Sequence, residues 1–156
     1  MTGVSRRLLG VDSGRKRIGL AITDPDRIIA SPLETWHRRT LAEDAAYFAA
    51  LVQRERVSVL VVGLPIRMDE TEGDAAKEAR EFGRWLGSVT GLHVVWFDER
   101  YTSANADSMM RDAGLNPKKR KERLDRVAAQ LILEGYLEAG CPDVEPPSES
   151  ATESAK

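Results

Sequence analysis

LLGVDSGRKRIGLAIT, residues 8–23, sets two short apolar runs, Leu8–Val11 and Ile18–Thr23, on either side of Ser13-Gly14-Arg15. Apolar runs of this length around a glycine-containing turn predict two strands, and Ile28–Trp36 supplies a third, which makes a meander. Downstream the pattern changes. In LAEDAAYFAALVQRER, Leu41, Ala45, Phe48, Ala49 and Val52 recur at helical spacing. Val57–Val62 is continuously apolar and stops at Gly63-Leu64-Pro65, as expected of a strand buried on both faces and closed by a loop. A helix over Gly73–Val89, a strand over His93–Phe97 and a helix from about Ser103 to Ala113 follow. Lys118–Arg123 reads as a charged connector. Leu124, Val127, Ala128, Leu131, Ile132 and Leu137 mark a last amphipathic helix. Three antiparallel strands followed by β-α-β units predict an α/β fold: a mixed five-stranded sheet with helices on both faces.

The 156 residues, 42% hydrophobic and 31% charged, suit one soluble domain with a single core. That domain is expected over residues 1–140. Residues 141–156, CPDVEPPSESATESAK, are rich in Pro, Ser and Glu and have too little apolar surface to repay ordering, which predicts a disordered acidic tail. Cys141 is the only cysteine; it excludes an internal disulfide and a cysteine-based metal cluster and fits a reducing compartment, so the cytoplasm is expected. The N-terminal apolar segment meets Asp12 too early for a signal peptide, and no apolar run approaches a membrane span. The formal net charge is −2, and setting aside the tail's −3 leaves a body near +1. A nucleic-acid-binding role therefore has to rest on local basic clusters, since the body carries no general basic excess.

Three acidic positions stand at the ends of otherwise apolar elements. Asp12 closes the first run, where loops and ligands meet in open sheets; alone, it is explained by a turn before Gly14. Asp98 and Glu99 end the strand HVVWF and, by alternation, point to opposite faces, so one of the two belongs to any given site; a solvated charge pair beside Arg100 is the ordinary alternative. Asp125 is expected in the first turn of the last helix, on the stripe of Ala128, Ala129 and Ile132, where an acid also favours the helix dipole. If the three converge, their mutual repulsion calls for a cation, and hard oxygen ligands suit Mg²⁺ or Mn²⁺. Such a site can carry out metal-assisted phosphodiester hydrolysis without a side-chain nucleophile. His37 and His93 are expected to be structural or surface residues, and Trp36, Trp85 and Trp96 to be core.

Each acid has cations beside it. Arg15, Lys16 and Arg17 follow Asp12, Arg100 follows Glu99, and Lys118, Lys119, Arg120, Lys121, Arg123 and Arg126 surround Asp125. This arrangement suits a polyanionic backbone held against bound metal, although each cluster alone also fits a solvated charge run. Asp12-Ser13-Gly14 with Gly19 is similar to the phosphate-gripping hairpin of actin-like ATPases, but those need two lobes and this chain has length for one.

LLGVDSGRKRIGLAITD, VVGLPIRMDETEG, FDERYTS and LDRVAAQLIL together resemble, in order and spacing from about Leu8 to Gly140, the YqgF/RuvX family of pre-16S rRNA nucleases, once proposed as Holliday-junction resolvases. The resemblance implies an RNase H-like fold, maturation of the 5′ end of 16S ribosomal RNA, and catalytic metal-binding carboxylates at Asp12, Glu99 and Asp125; it selects Glu99 over Asp98. Arg67 and Glu70 depart from the family's usual asparagine and glycine, and Tyr101 stands where leucine is common. Because that loop could touch nucleic acid, Arg67 joins the candidate binding residues. Structured RNA or branched DNA is the expected partner, with the chain a monomer or homodimer. A non-catalytic ribosome-assembly factor is the competing reading, disfavoured by the retention of all three acids.

Overall fold

β1 (Arg7–Ser13) lies at the centre of the molecule and pairs antiparallel with β2 (Arg17–Thr23), with Asp12 opposite Gly19 and Val11 opposite Leu20. The computed structural model describes residues 6–65, 72–99 and 116–142. β3 (Ala30–His37) completes the meander against β2. On its other side β1 pairs parallel with β4 (Val57–Leu64), which pairs parallel with β5 (His93–Asp98), so the sheet runs β3-β2-β1-β4-β5. The mixed five-stranded sheet expected from the sequence is present. The helix expected over 103–113, the departures Arg67, Glu70 and Tyr101, and residues 143–156 of the tail lie outside the described residues.

Alternation along the strands sorts the core into two layers. Leu9 and Val11 of β1 and Leu60, Val62 and Leu64 of β4 meet α1 (Leu41–Arg54) and α2 (Asp74–Thr90) through Phe48, Leu51, Phe82 and Leu86. On the opposite face Leu8, Ala21, Val61, Val95 and Phe97 pack on α3 (Pro117–Glu138) through Ala129, Ile132, Leu133 and Tyr136. Trp96 is buried and Trp36 and Trp85 pack against the first layer, in keeping with their expected place in the core. Among the described residues no helix is long and apolar enough to cross a membrane.

The boundaries differ from expectation at three places. Ile28 and Ile29 are 71% and 63% exposed and precede β3; Asp24 Oδ1 accepts both their amides at 2.8 Å, so a side-chain-closed turn takes the donors a strand would use. β4 continues through Gly63 and Leu64, so these residues extend the ladder with Phe97 and Asp98 and do not form the loop expected there. α3 starts at Pro117, so the expected connector Lys118–Arg123 is helical. Asn116 caps it, its side chain accepting from the Lys119 amide at 2.8 Å with proline at the first helical position.

Asp44 ties β3 to α1. It is 1% exposed and accepts from Trp36 Nε1 at 2.8 Å and the Arg39 amide at 2.9 Å. Replacing it by alanine strands two donors, and an unmade buried hydrogen bond costs the full desolvation of the group left behind. Asp44→Ala is expected to lower unfolding stability by about 3 kcal/mol, read from the urea midpoint at unchanged m-value. An unshifted midpoint would refute this account of Asp44.

Candidate active site at the carboxyl end of the central strands

Asp12 is the next-to-last residue of β1 and, by strand alternation, shares the α3 face with Leu8 and Gly10. Glu99 directly follows β5. β4 lies between the two strands, so the Cα separation spans two inter-strand steps, roughly 9–10 Å. The extra methylene of a glutamate and a missing side chain on β4 bridge that gap. A Cβ placed on Gly63 would fall against Ile132 Cδ1 and lie 2.6 Å from Glu99 Oε2 and 3.1 Å from Glu99 Cγ, so Glu99 lies over Gly63 beside Ile132. There it shares a hydrogen bond with Asp12. Asp98, of opposite parity, is buried on the α2 side of the sheet. Of the two adjacent acids, Glu99 is thus the one on the Asp12 face of the sheet.

Burial raises the Asp12 carboxyl to about 8, with the charges of Glu99 and Asp125 and the hydrogen bond to Glu99 adding to it. Glu99 is also raised, by burial first and by the charge of Asp98, while its bond to Asp12 works the other way. Both directions describe two carboxylates sharing one proton in a poorly hydrated place. Chemically this is a pair of hard oxygen donors whose repulsion a proton or a cation would relieve, so the donor set fits a hard divalent cation.

Asp125 arrives from the far end of the chain. It is the ninth residue of α3, two turns in and not in the first turn as expected, so the helix-dipole explanation for an acid there does not apply. A Cβ on Gly19 would fall on the Asp125 carbonyl oxygen and 3.0 Å from its Cβ. α3 can therefore rest on β2 only because Gly19, the cross-strand partner of Asp12, has no side chain. The Asp125 carboxylate accepts from Arg17 Nε at 2.6 Å, both side chains being partly buried. Its charge still acts on Asp12. Among the described residues no three His, Cys, Asp or Glu groups converge on one point: two of the acids are joined, and the third is turned to an arginine.

Of the expected basic residues, Arg15, Lys16 and Arg17 line a cavity with Asp12 and Asp125. Arg15 pairs with Glu78 on α2 at 2.9–3.0 Å and is exposed, as is Lys16. Lys118, Lys119, Arg120 and Lys121 are exposed on the first turns of α3, and Arg123 is half-buried. Arg67 and Arg100 lie outside the described residues. His37, on the surface as expected, pairs with Glu122 at 2.7 Å, and His93 is exposed. A groove of about 1240 Å³ lined by Asp12, Glu99, Lys16, Arg38, Arg39 and Trp85 opens on the same centre. The sequence reading passed over Arg38 and Arg39, and it took Gly19 as part of a phosphate-hairpin likeness and Gly63 as the start of a loop, not as spacers beneath acids. For the glycines the signal was present, as interruptions of otherwise apolar strands. Gly63→Ala is expected to push Glu99 off Asp12, lowering turnover by roughly 10²-fold, since a displacement of about 1 Å is worth that much, at a stability cost of about 1 kcal/mol. Turnover like that of the wild type would mean that Glu99 does not need this path.

The mixed sheet of three antiparallel and then parallel strands with helices on both faces is the RNase H-like fold. The chain is similar to Thermus thermophilus RuvC in complex with a Holliday junction substrate, with a TM-score of 0.55 at 16% identity, over 86% of this chain and 96% of that one. It is similar too to a Thermus thermophilus RuvC structure, with a TM-score of 0.56 at 15% identity, over 90% and 99% of the two chains. At these identities the likeness is one of fold. Residues 6–139 match the RuvX family, described as Holliday junction resolvase. Over 133 residues the chain is 50% identical to a Rhodopirellula baltica protein named "Putative pre-16S rRNA nuclease", covering 85% of this chain and 77% of that one. A Koribacter versatilis protein of the same name is 38% identical over 149 residues, 96% of this chain and 97% of its own. The chain belongs to the RuvX family of nucleases.

Proposed function

We propose that this nuclease hydrolyses phosphodiester bonds in a ribosomal RNA precursor, at the 5′ end of 16S rRNA, with Asp12, Glu99 and Asp125 holding Mg²⁺ or Mn²⁺. The observation that carries the reading is the hydrogen-bonded, partly buried Asp12–Glu99 pair, with Asp125 close enough for its charge to act on Asp12. A divalent cation bound there supplies activation of water and neutralisation of charge developing on phosphate. Asp12, on the central strand, is the fixed member of the set. Glu99 reaches it over Gly63, and Asp125 is set by the seating of α3 on Gly19. Arg15, Lys16, Arg17, Lys118, Lys119, Arg120, Lys121 and Arg123, together with Arg67 and Arg100, hold the phosphate backbone without reading sequence. Residues 1–140 form the nuclease domain and 141–156 an acidic tail. The protein works in the cytoplasm as a monomer or homodimer. Names borne by the relatives favour rRNA, and the description of the family favours a branched DNA junction.

The test is cleavage of labelled rRNA precursor, single-stranded RNA and a four-way DNA junction, each with Mg²⁺, Mn²⁺ or EDTA. Metal-dependent cutting of the precursor near the mature 5′ end, with the junction left whole, supports the proposal. Preferred cutting of the junction would replace it with the resolvase reading. Binding without cutting, by the wild type and Asp12→Asn alike, would replace it with an assembly factor.

A further inference from the structure

Arg17 stands at a divide. It lines one cavity of about 370 Å³ together with Asp12, Arg15 and Asp125, and a second of about 310 Å³ together with His37, Lys118, Lys121 and Glu122. Its side chain is 30% exposed and bonds Asp125 on the carboxylate side. On the other side, two exposed lysines from the first turns of α3 flank it, and His37 is its cross-strand partner.

Resting on the nuclease reading above, we infer that Arg17 is a transfer residue: in the protein alone it holds Asp125, and a backbone phosphate seated between it, Lys118 and Lys121 draws it off, freeing Asp125 to join Asp12 and Glu99. The geometry supplies each part. The three acids do not converge in this structure, and the contact that occupies the third is the Arg17 guanidinium at 2.6 Å. A guanidinium bonds carboxylate and phosphate through the same planar fork, so it can exchange one for the other without changing its own conformation greatly. The Arg17 side of the pair is 30% exposed and lines the second cavity, so an anion there can reach the guanidinium, and a phosphate in that cavity also meets the cations Lys118 and Lys121. The Glu122 carboxylate on that side is bonded by His37 at 2.7 Å, which lowers its pKa first, with the charges of Lys118 and Arg126 adding to the effect. Nucleic acid and cation then strengthen one another's binding by the same factor, as linkage requires. The free enzyme keeps its acids apart until substrate is present.

The test reads binding and not turnover. Mn²⁺ is titrated calorimetrically into metal-free protein with and without a 2′-O-methyl RNA oligonucleotide that resists hydrolysis, with the oligonucleotide's own Mn²⁺ uptake subtracted. The wild type is expected to bind Mn²⁺ about tenfold more tightly when the oligonucleotide is present. Arg17→Met is expected to bind Mn²⁺ more tightly without RNA and to show no further gain with it. Simple loss of a positive charge would tighten Mn²⁺ binding but leave the RNA-induced gain intact, which would overturn the inference, as would a wild type with no gain. If Arg17→Met does not fold, the double variant Lys118→Gln with Lys121→Gln, measured at an oligonucleotide concentration that saturates it, decides: loss of the RNA-induced gain supports the transfer, and its retention overturns it. Failure of the nuclease reading is visible separately, as a wild type that cuts none of the three nucleic acids in Mn²⁺.

Discussion

Asp12→Asn is expected to abolish cleavage, with a loss of at least about 10³-fold in turnover, equivalent to about 4 kcal/mol of transition-state stabilisation, while making the metal-free protein more stable at pH 8. The two effects share one cause. Asp12 is raised to about 8 in the folded chain from 3.8. Between those values the folded state keeps a proton that the unfolded chain has released, so stability falls as pH rises through the window. The contribution is whole below about pH 4 and gone by about pH 8. An amide at position 12 removes that dependence and can still donate to Glu99, so the variant should melt roughly 5 °C higher than the wild type at pH 8 in EDTA, and level with it near pH 4. Added Mg²⁺ should narrow or reverse the gap, because a ligand that binds only the folded state stabilises it and the variant has lost a donor. Melting curves at the two pH values, with and without metal, check this. A variant that cuts normally, or one less stable than the wild type at pH 8 without metal, would contradict the assignment.

Gly19→Ala carries the second large effect. The new methyl would fall on the Asp125 carbonyl oxygen, and the groups in conflict are main chain on both sides, a sheet and a helix, neither of which can rotate away. Overpacking of this kind costs about 3 kcal/mol, or roughly 10 °C in Tm for a domain of this size. Relief comes only by lifting α3 off β2, which withdraws Asp125 from Asp12, so residual folded protein should also be impaired in cleavage. Gly91→Ala is the control. Gly91 has φ +74° and nothing within 4 Å of a Cβ, so the cost there is left-handed backbone strain alone, about 1 kcal/mol, with activity kept. Equal loss of stability at the two positions would show that close packing at Gly19 is not the determinant.

What the sequence showed and what it hid divide along a physical line. Elements specified by their own pattern were legible: the alternation around Ser13-Gly14-Arg15, the helical spacing of Leu41 to Val52 and the apolar run beginning at Val57 each produced the element expected. The start of α3 was not, because Lys118–Arg123 carries no apolar period to read; only Asn116-Pro117 marked it. Glu99 could be chosen by residue pattern only as one of an adjacent pair, since parity tells two faces apart without saying which one holds the site. Gly19 and Gly63 owe their meaning to Asp125 and Glu99, which meet them only in three dimensions. The same holds for Arg17 and Asp125, 108 residues apart.

β1 is laid down at the start of the chain and sits at the centre of the sheet, but the acids that act on its Asp12 come from much later in the sequence, Glu99 after β5 and Asp125 within α3. The meander of β1, β2 and β3 has neighbours close in sequence and can pair early, whereas β1 must wait for β4 and β5 through long crossovers before the carboxyl end of the sheet exists. During synthesis the chain therefore holds Asp12 and its flanking basic residues well before it holds a complete carboxylate set. The centre around Asp12 is thus completed late in folding, after α3 has docked on β2 through Gly19.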